Sequence, residues 1–264
     1  MHADVPGEPR SRLPEACAGR DLLRRHAAAV RPLKRRRRGD ERPVHVTRVA
    51  LRRLLEWLAV LTPLLPRREL RRVETRIRRA LRLLGAVRDG DVALTLCTRR
   101  ITGATEGWQW DFLFRLVSEI EEERVHAQGR LDRARLRVRR IRNEARTLSR
   151  ALRGCAAPDA LFFATAAKSA LRELVREAGV AGGPQDVEGL HAVRLRSKHL
   201  RYLLEGEVTP AHPGILELAI ALQRVLGESH DLALFGRRIE RALGGPDGGG
   251  DPDAAREWRI SIDV

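Results

Sequence analysis

The sequence predicts an all-α protein containing a duplicated helical unit, on three observations. Apolar residues recur at intervals of three and four along most of the chain, the spacing of a single helix face. No strand-type alternation of any length occurs before the terminal I-S-I-D-V (260–264). Two stretches repeat one basic pattern: H-V-T-R-V-A-L-R-R-L from His45, and H-A-V-R-L-R-S-K-H-L-R-Y from His191. In each, a histidine is followed by cations at i+3 and i+7, giving His45, Arg48 and Arg52, then His191, Arg194 and Lys198. At about 100° per residue these positions share a stripe roughly 60° wide. A Leu-Gly segment ending in Asp follows each stripe: L-L-G-A-V-R-D-G-D-V (83–92) and V-L-G-E-S-H-D-L-A-L (225–234). The stripes are 146 residues apart (48 to 194) and the Leu-Gly segments 142 apart (89 to 231), near-equal offsets of the kind a duplication leaves. Each half is expected to pack as a bundle around its apolar stripes.

The elements follow in order. Residues 1–17 are polar with three prolines and read as a disordered arm. A helix from about Arg20 to Val30 precedes the basic run Lys34–Arg38, which Gly39-Asp40 closes. Such a run reads either as an auxiliary anion contact or as a solvated loop. Pro43 marks a helix start, and the helix to Leu61 has Val46, Ala50, Leu54, Trp57 and Leu61 as its expected apolar face. The next helix spans about Arg68 to Leu84, with Leu70, Val73, Ile77, Leu81 and Leu84 inward. The segment 83–92 reads as a turn, loosened by Gly90, before a further helix towards Ile101. Trp108, Trp110, Phe112 and Phe114 are expected as core anchors at the seam between halves. A long arginine-rich helix then carries a heptad-like seam of Ala134, Val138, Ile141, Ala145, Leu148 and Leu152. Helices follow over about 159–178 and 187–207, the latter with Leu200, Leu203 and Leu204 inward, and a last one runs through 225–234. Residues 245–264 read as a Gly/Pro-rich linker and loose tail.

Composition narrows the partner. Net charge is +16, and 48 of the 51 basic residues are arginines. Arginine binds phosphate oxygens bidentately and keeps its charge. Residues 1–153 hold 38 basic and 19 acidic residues, whereas 154–264 hold 13 and 16. The second stripe thus stands in an acidic background, which a general arginine bias does not explain. Only 4% of residues are aromatic, so a base-stacking platform is not expected. No run of 18 apolar residues predicts a membrane span, and the N-terminus has no apolar signal region. Cys17, Cys97 and Cys155 lack metal-ligand spacing and read as reduced thiols in a cytoplasmic protein, with Cys97 in the core.

These motifs closely resemble the CHAD family, the conserved histidine α-helical domain. All four pieces, the two His stripes and the two Leu-Gly segments, occur in the family's order and spacing over roughly residues 18–244. The resemblance implies two helical bundles, about 18–120 and 121–244, related by pseudo-twofold symmetry and facing each other across a basic groove or pore. It also implies binding of inorganic polyphosphate there, without catalysis and without a cofactor. Carried over by position, the polyphosphate-binding residues are His45, Arg48, Arg52 and Arg53 in the first motif and His191, Arg194, Lys198 and Arg201, beside Tyr202, in the second. Arg88, Asp89 and Asp91 match the first Leu-Gly segment, and Asp231 the second. The chain departs from the pattern at Gly90 and at His230, where the family carries an apolar and a polar residue, and segment 103–153 matches less well.

Arg48, Arg52, Arg194 and Lys198 are the expected main ligands, Arg53 and Arg201 secondary ones, and Arg82 and Arg88 can converge on the same groove. His45 and His191 either donate to phosphate or cap a helix. Asp89, Asp91 and Asp231 would repel a polyanion and are expected to orient the stripe arginines or cap helices, as are Glu56 and Glu205. Expected partners are polyphosphate and the enzymes that metabolise it, at polyphosphate granules. The alternative is a nucleic-acid-binding protein, for which residues 124–153 carry 11 basic against 2 acidic side chains, although no helix-turn-helix, zinc-finger or RNP pattern occurs. A phosphohydrolase is disfavoured. Some CHAD domains are fused to a triphosphatase bearing E-x-E-x-K, but E-I-E-E-E (119–123) lacks the lysine, and no P-loop or metal-ligand spacing is present.

Overall fold

Seven α-helices and one 3₁₀ turn form the computed structural model, which describes residues 18–30, 42–104, 106–152, 160–183, 185–205 and 213–243. In order they are α1 (Ala18–Ala29), α2 (Arg42–Val60), the 3₁₀ turn (Thr62–Leu64), α3 (Arg67–Ile101), α4 (Gly107–Ala151), α5 (Ala160–Val180), α6 (Val187–Leu204) and α7 (Pro213–Leu243). No strand occurs among the described residues. The expected N-terminal arm, the Lys34–Arg38 run, Cys17, Cys155 and the C-terminal tail lie outside the described residues.

Local chemistry sets the helix ends. Pro43, in the first turn of α2, fits where its missing N–H has no partner to lose. The side chain of Gln109 accepts a hydrogen bond from the Glu106 N–H (3.2 Å) at the start of α4. Asp186 caps α6 by accepting from the Gly189 N–H (2.8 Å) and also holds the Gly182 N–H (2.9 Å). These backbone donors keep its carboxyl below the usual range. Gly183, at φ +96°, turns the chain between α5 and α6, a conformation that glycine adopts without steric cost.

The helices form two groups. In the first, α1 packs on α2, α2 on α3, α3 on α4, and α4 closes back on α1. In the second, α6 lies between α5 and α7. Contacts of α2 with α6 and of α3 with α7 join the groups. The expected division near residue 120 falls inside α4, which runs unbroken from 107 to 151. The α4 seam packs as its heptads predict: Ala134, Val138, Ile141 and Ala145 are fully buried, Leu148 and Leu152 nearly so. Each such Val, Ile or Leu contributes about 1.5–3 kcal/mol by leaving water. One large core includes residues from both groups, with the Trp57 ring of α2 edge-on to Phe163 of α5 at 6.0 Å. A smaller core joins Ala93 and Cys97 of α3, Phe112, Leu113, Leu116 and Ile120 of α4, and Phe235 and Ile239 of α7.

Three local expectations are corrected. Val46 is exposed (46%), because the buried face of α2 runs through Val44, Thr47, Ala50, Leu51, Leu54, Trp57 and Leu58. Of the aromatic cluster, Phe112 is buried and Trp108 packs against the smaller core, but Trp110 and Phe114 are exposed and stack on each other (6.2 Å). The Leu-Gly segment is no turn: α3 continues through Gly85 and Gly90. Both glycines serve close approach. A Cβ on Gly85 would lie 3.2 Å from Nη1 of Arg48, and one on Gly90 would lie 2.9 Å from Cγ of Arg124. The missing side chains let α2 and α4 lay arginines directly on the α3 backbone.

Candidate functional site

Where α2 and α3 meet α6 and α7, the two stripes come together. Arg48 feels the charges of Arg52 on its own helix, Arg88 and Asp89 on α3, and Arg194 on α6. Lys198 feels Arg194, Arg52, Asp231 and Arg48. Arg194 reaches towards Asp231 on α7 (3.8 Å). Four helices thus place five cations, Arg48, Arg52, Arg88, Arg194 and Lys198, around two carboxylates, Asp89 and Asp231.

The charges are crowded and partly dry. Burial, then Arg52, lowers the Arg48 guanidinium to about 10. Burial followed by Arg194 and Arg52 lowers Lys198 to about 7, and the residue is only 7% exposed. Burial raises Asp89, which also lies near Asp231. Nη1 of Arg48, Nε of Arg194 and Nδ1 of His191 are buried without a hydrogen-bond partner among the described residues. A buried polar group left unpaired costs about 1–3 kcal/mol, and more when charged. An anion supplying oxygens to these groups would recover part of that cost.

The Lys198 ammonium leads to a pH dependence. The unfolded lysine holds its proton to about pH 10.5 and the folded one to about 7. The unfolded state therefore binds more protons across that window, and this group's contribution makes stability rise with pH there. Thermal melts between pH 7 and 8, below the ordinary thiol value of 9.0 at which an unfolded Cys97 begins to ionise, should show a rising Tm that Lys198→Met abolishes. An anion favours the charged form, so its binding should take up protons at pH 8, read by titration calorimetry in buffers of different ionisation enthalpy.

The remaining expected site residues divide. His191 joins the cluster: its ring stacks on His230 of α7 (4.9 Å), and burial followed by Arg194 and Lys198 lowers its pKa. His230 falls to about 4 for the same reasons, led by burial. His45 is exposed in the first turn of α2. Arg82 is exposed and is not among the charges felt by Arg48, Asp89 or Lys198.

Arg53 and Arg201, expected as secondary ligands, share one carboxylate. Arg53 Nη2 donates to Glu205 Oε2 (2.7 Å) and Arg201 Nε to Glu205 Oε1 (2.6 Å). Arg201 also donates to Gln223 (3.1 Å). The Arg53 guanidinium lies 5.5 Å from the Tyr202 ring centre, in cation–π range. Beside them His199 Nδ1 meets Glu56 Oε2 at 2.6 Å. Glu205 therefore orients flanking arginines as expected, whereas Glu56 holds a histidine rather than a stripe cation. These contacts tie α2 to α6 next to the cluster. Asp91 is corrected more sharply. It is fully buried and pairs with Arg124 of α4 (3.0 Å), away from the stripes. Neither Asp89 nor Asp231 caps a helix; both lie within α3 and α7. Among described residues no group of three or more His, Cys, Asp or Glu could hold a metal ion, and no helix is long and apolar enough to cross a membrane.

The family assignment rests on the whole helical array. The CHAD domain family matches residues 18–240. The chain belongs to the CHAD domain family. Among solved structures, this CHAD domain is similar to the crystal structure of the CHAD domain from the plant Ricinus communis, with TM-score 0.66 and 23% identity over 92% of this chain and 81% of the other. It is also similar to PptA from Streptomyces chartreusis, with TM-score 0.71 and 18% identity over 93% of this chain and 92% of the other. At these identities the two structures speak for the fold. No curated protein matches the chain. In the CHAD domain the sequence missed His230, although its place one residue before Asp231 in a motif segment marked it as a neighbour of the stripe.

Proposed function

We propose that this CHAD domain binds inorganic polyphosphate, without catalysing its turnover, in a basic groove lined by Arg48, Arg52, Arg88, His191, Arg194 and Lys198. The observation that carries the reading is convergence: cations from two stripes 146 residues apart, one on α2 and one on α6, feel one another's charge. Random surface arginines do not gather partly buried, with donors left unpaired, at a junction between helix groups. A linear polyphosphate offers oxygens along its length and no bases, which matches forked donors with no exposed Phe, Tyr or Trp among them. Family membership supports the same ligand. The cellular role that follows is recruitment to polyphosphate granules or to enzymes of polyphosphate metabolism.

The test is calorimetric titration with long-chain polyphosphate at several salt concentrations, with duplex DNA as competitor. Binding is expected to weaken linearly in log–log form as counterion release requires, and to persist in excess DNA. Absence of binding at about physiological ionic strength, or ready displacement by DNA, overturns the reading.

A further inference from the structure

A second basic surface lies outside the cluster. In the four-helix ring α4 touches α3 on one side and α1 on the other, so it stands as a corner ridge. Its seam of Ala134, Val138, Ile141, Ala145 and Leu148 faces inward. Its crest therefore carries Leu136, Arg139, Arg140, Asn143 and Thr147 outward, all exposed, Leu136 by 73%. A cleft runs along each flank. The one between α3 and α4, of about 700 Å³, is lined by Arg76 and Arg79 of α3, by Arg137 and Glu144, and on its α4 side by the crest residues themselves. The one between α1 and α4, of about 550 Å³, is lined by Arg20, Arg24, Arg146 and Arg150. Two carboxylates temper the face: Glu144 pairs with Arg76, and Asp21 lies 3.5–3.6 Å from Arg20 and Arg24. Arg137, Arg140, Arg146 and Arg150 are exposed and make no ion pair among the described residues.

We propose that this ridge binds B-form duplex DNA through its backbone, with α4 seated in the major groove and one arginine row on each strand. A helix with its side chains is about 10–12 Å across, and the major groove is about 12 Å wide and 8.5 Å deep. Two cationic rows on either side of a helix-wide ridge match two phosphate backbones, whereas a single polyphosphate strand has one. From Arg140 to Arg150 the ridge advances about 15 Å at 1.5 Å per residue, enough for several phosphates. No aromatic side chain lines either cleft, which favours a duplex over an unstacked single strand. A-form RNA has a deep, narrow major groove that excludes such a ridge. The cations here are exposed rather than crowded and dry, so the mode is sequence-independent phosphate contact. The CHAD domain would then hold DNA on one face while its stripe cluster holds another polyanion.

The experiment is fluorescence anisotropy with a labelled mixed-sequence DNA duplex of about 24 base pairs and the matching RNA duplex, at about 0.1 M salt. Three proteins are compared: wild type, R137A/R140A/R146A/R150A, and R48A/R52A/R194A/K198A. Wild type is expected to bind DNA more tightly than RNA. The ridge variant should lose at least tenfold in DNA affinity, with a log–log salt slope shallower by about 3 to 4 at roughly 0.9 per phosphate contact, while polyphosphate binding changes less than about twofold. The stripe variant should keep its DNA binding. A fourth protein with lysine at the same ridge positions should keep the salt slope, which separates lost charge from lost folding. Failure of wild type to bind DNA, DNA loss in the stripe variant instead, or equal loss of both ligands in the ridge variant overturns the proposal. Failure of wild type to bind polyphosphate would sink the stripe reading and leave the ridge standing.

Discussion

Replacing Arg48, Arg52, Arg194 and Lys198 together by alanine is expected to weaken polyphosphate binding at least about a thousandfold without lowering Tm. Each side chain can supply a charge-assisted hydrogen bond, worth about 1.5–3 kcal/mol, and each 1.4 kcal/mol is about tenfold in affinity. Stability should move the other way from affinity. Burial and mutual repulsion depress Arg48, Arg194 and Lys198 in the folded state, so removing them relieves a folded-state cost. Loss of their aliphatic stems offsets part of that gain. The pattern of affinity lost and stability kept is that of a site assembled against the fold's own preference. Calorimetry and thermal melts on the same samples decide it. A variant that binds as wild type, or one that loses binding only because it melts early, contradicts the assignment.

Arg124→Ala is expected to cost about 3–5 kcal/mol, the usual penalty for stripping the partner from a buried charge. Asp91 is fully buried and pairs with Arg124, whose own side chain is only 15% exposed. The same arginine donates to Glu121 (2.7 Å) and lays its stem on Gly90. For a chain of this size that cost corresponds to a fall in Tm of about 10 °C. Replacing both members of the pair, as in Asp91→Leu with Arg124→Met, should recover most of it, because two apolar side chains then fill the α3–α4 contact. A fall of less than about 3 °C for the single variant would contradict the reading of this pair as a buried tie between α3 and α4.

Much of the fold was legible because its signals are local. The α4 seam is written in spacing alone, and so is the inward Leu200, Leu203 and Leu204 of α6. The stripe pattern likewise foretold which cations meet. What escaped depends on partners distant in sequence. Gly85 and Gly90 read as a turn because glycine is a poor helix former, and only the approach of Arg48 and Arg124 explains them. Arg53 and Arg201 sit beside the stripes by angle, yet Glu205 takes both. The Arg201–Glu205 half of that clamp was visible as an i+4 pair; the Arg53 half spans 152 residues. Asp91 resembled its neighbour Asp89 in sequence, but a rotation of about 200° along α3 sends it to α4 rather than to α2.

The large apolar core takes side chains from α1 to α4 and from α5, α6 and α7 alike, with Trp57 against Phe163 at the join. Neither half can therefore be lifted out as a module. A polypeptide severed between α4 and α5 would give two pieces, each carrying one cationic stripe and an unequal share of one greasy interior. Such pieces would have to find each other in order to become soluble. The cluster of Arg48, Arg52, Arg194 and Lys198 and the interior are completed in the same act, so a chain that has not finished folding has not yet brought the two stripes together.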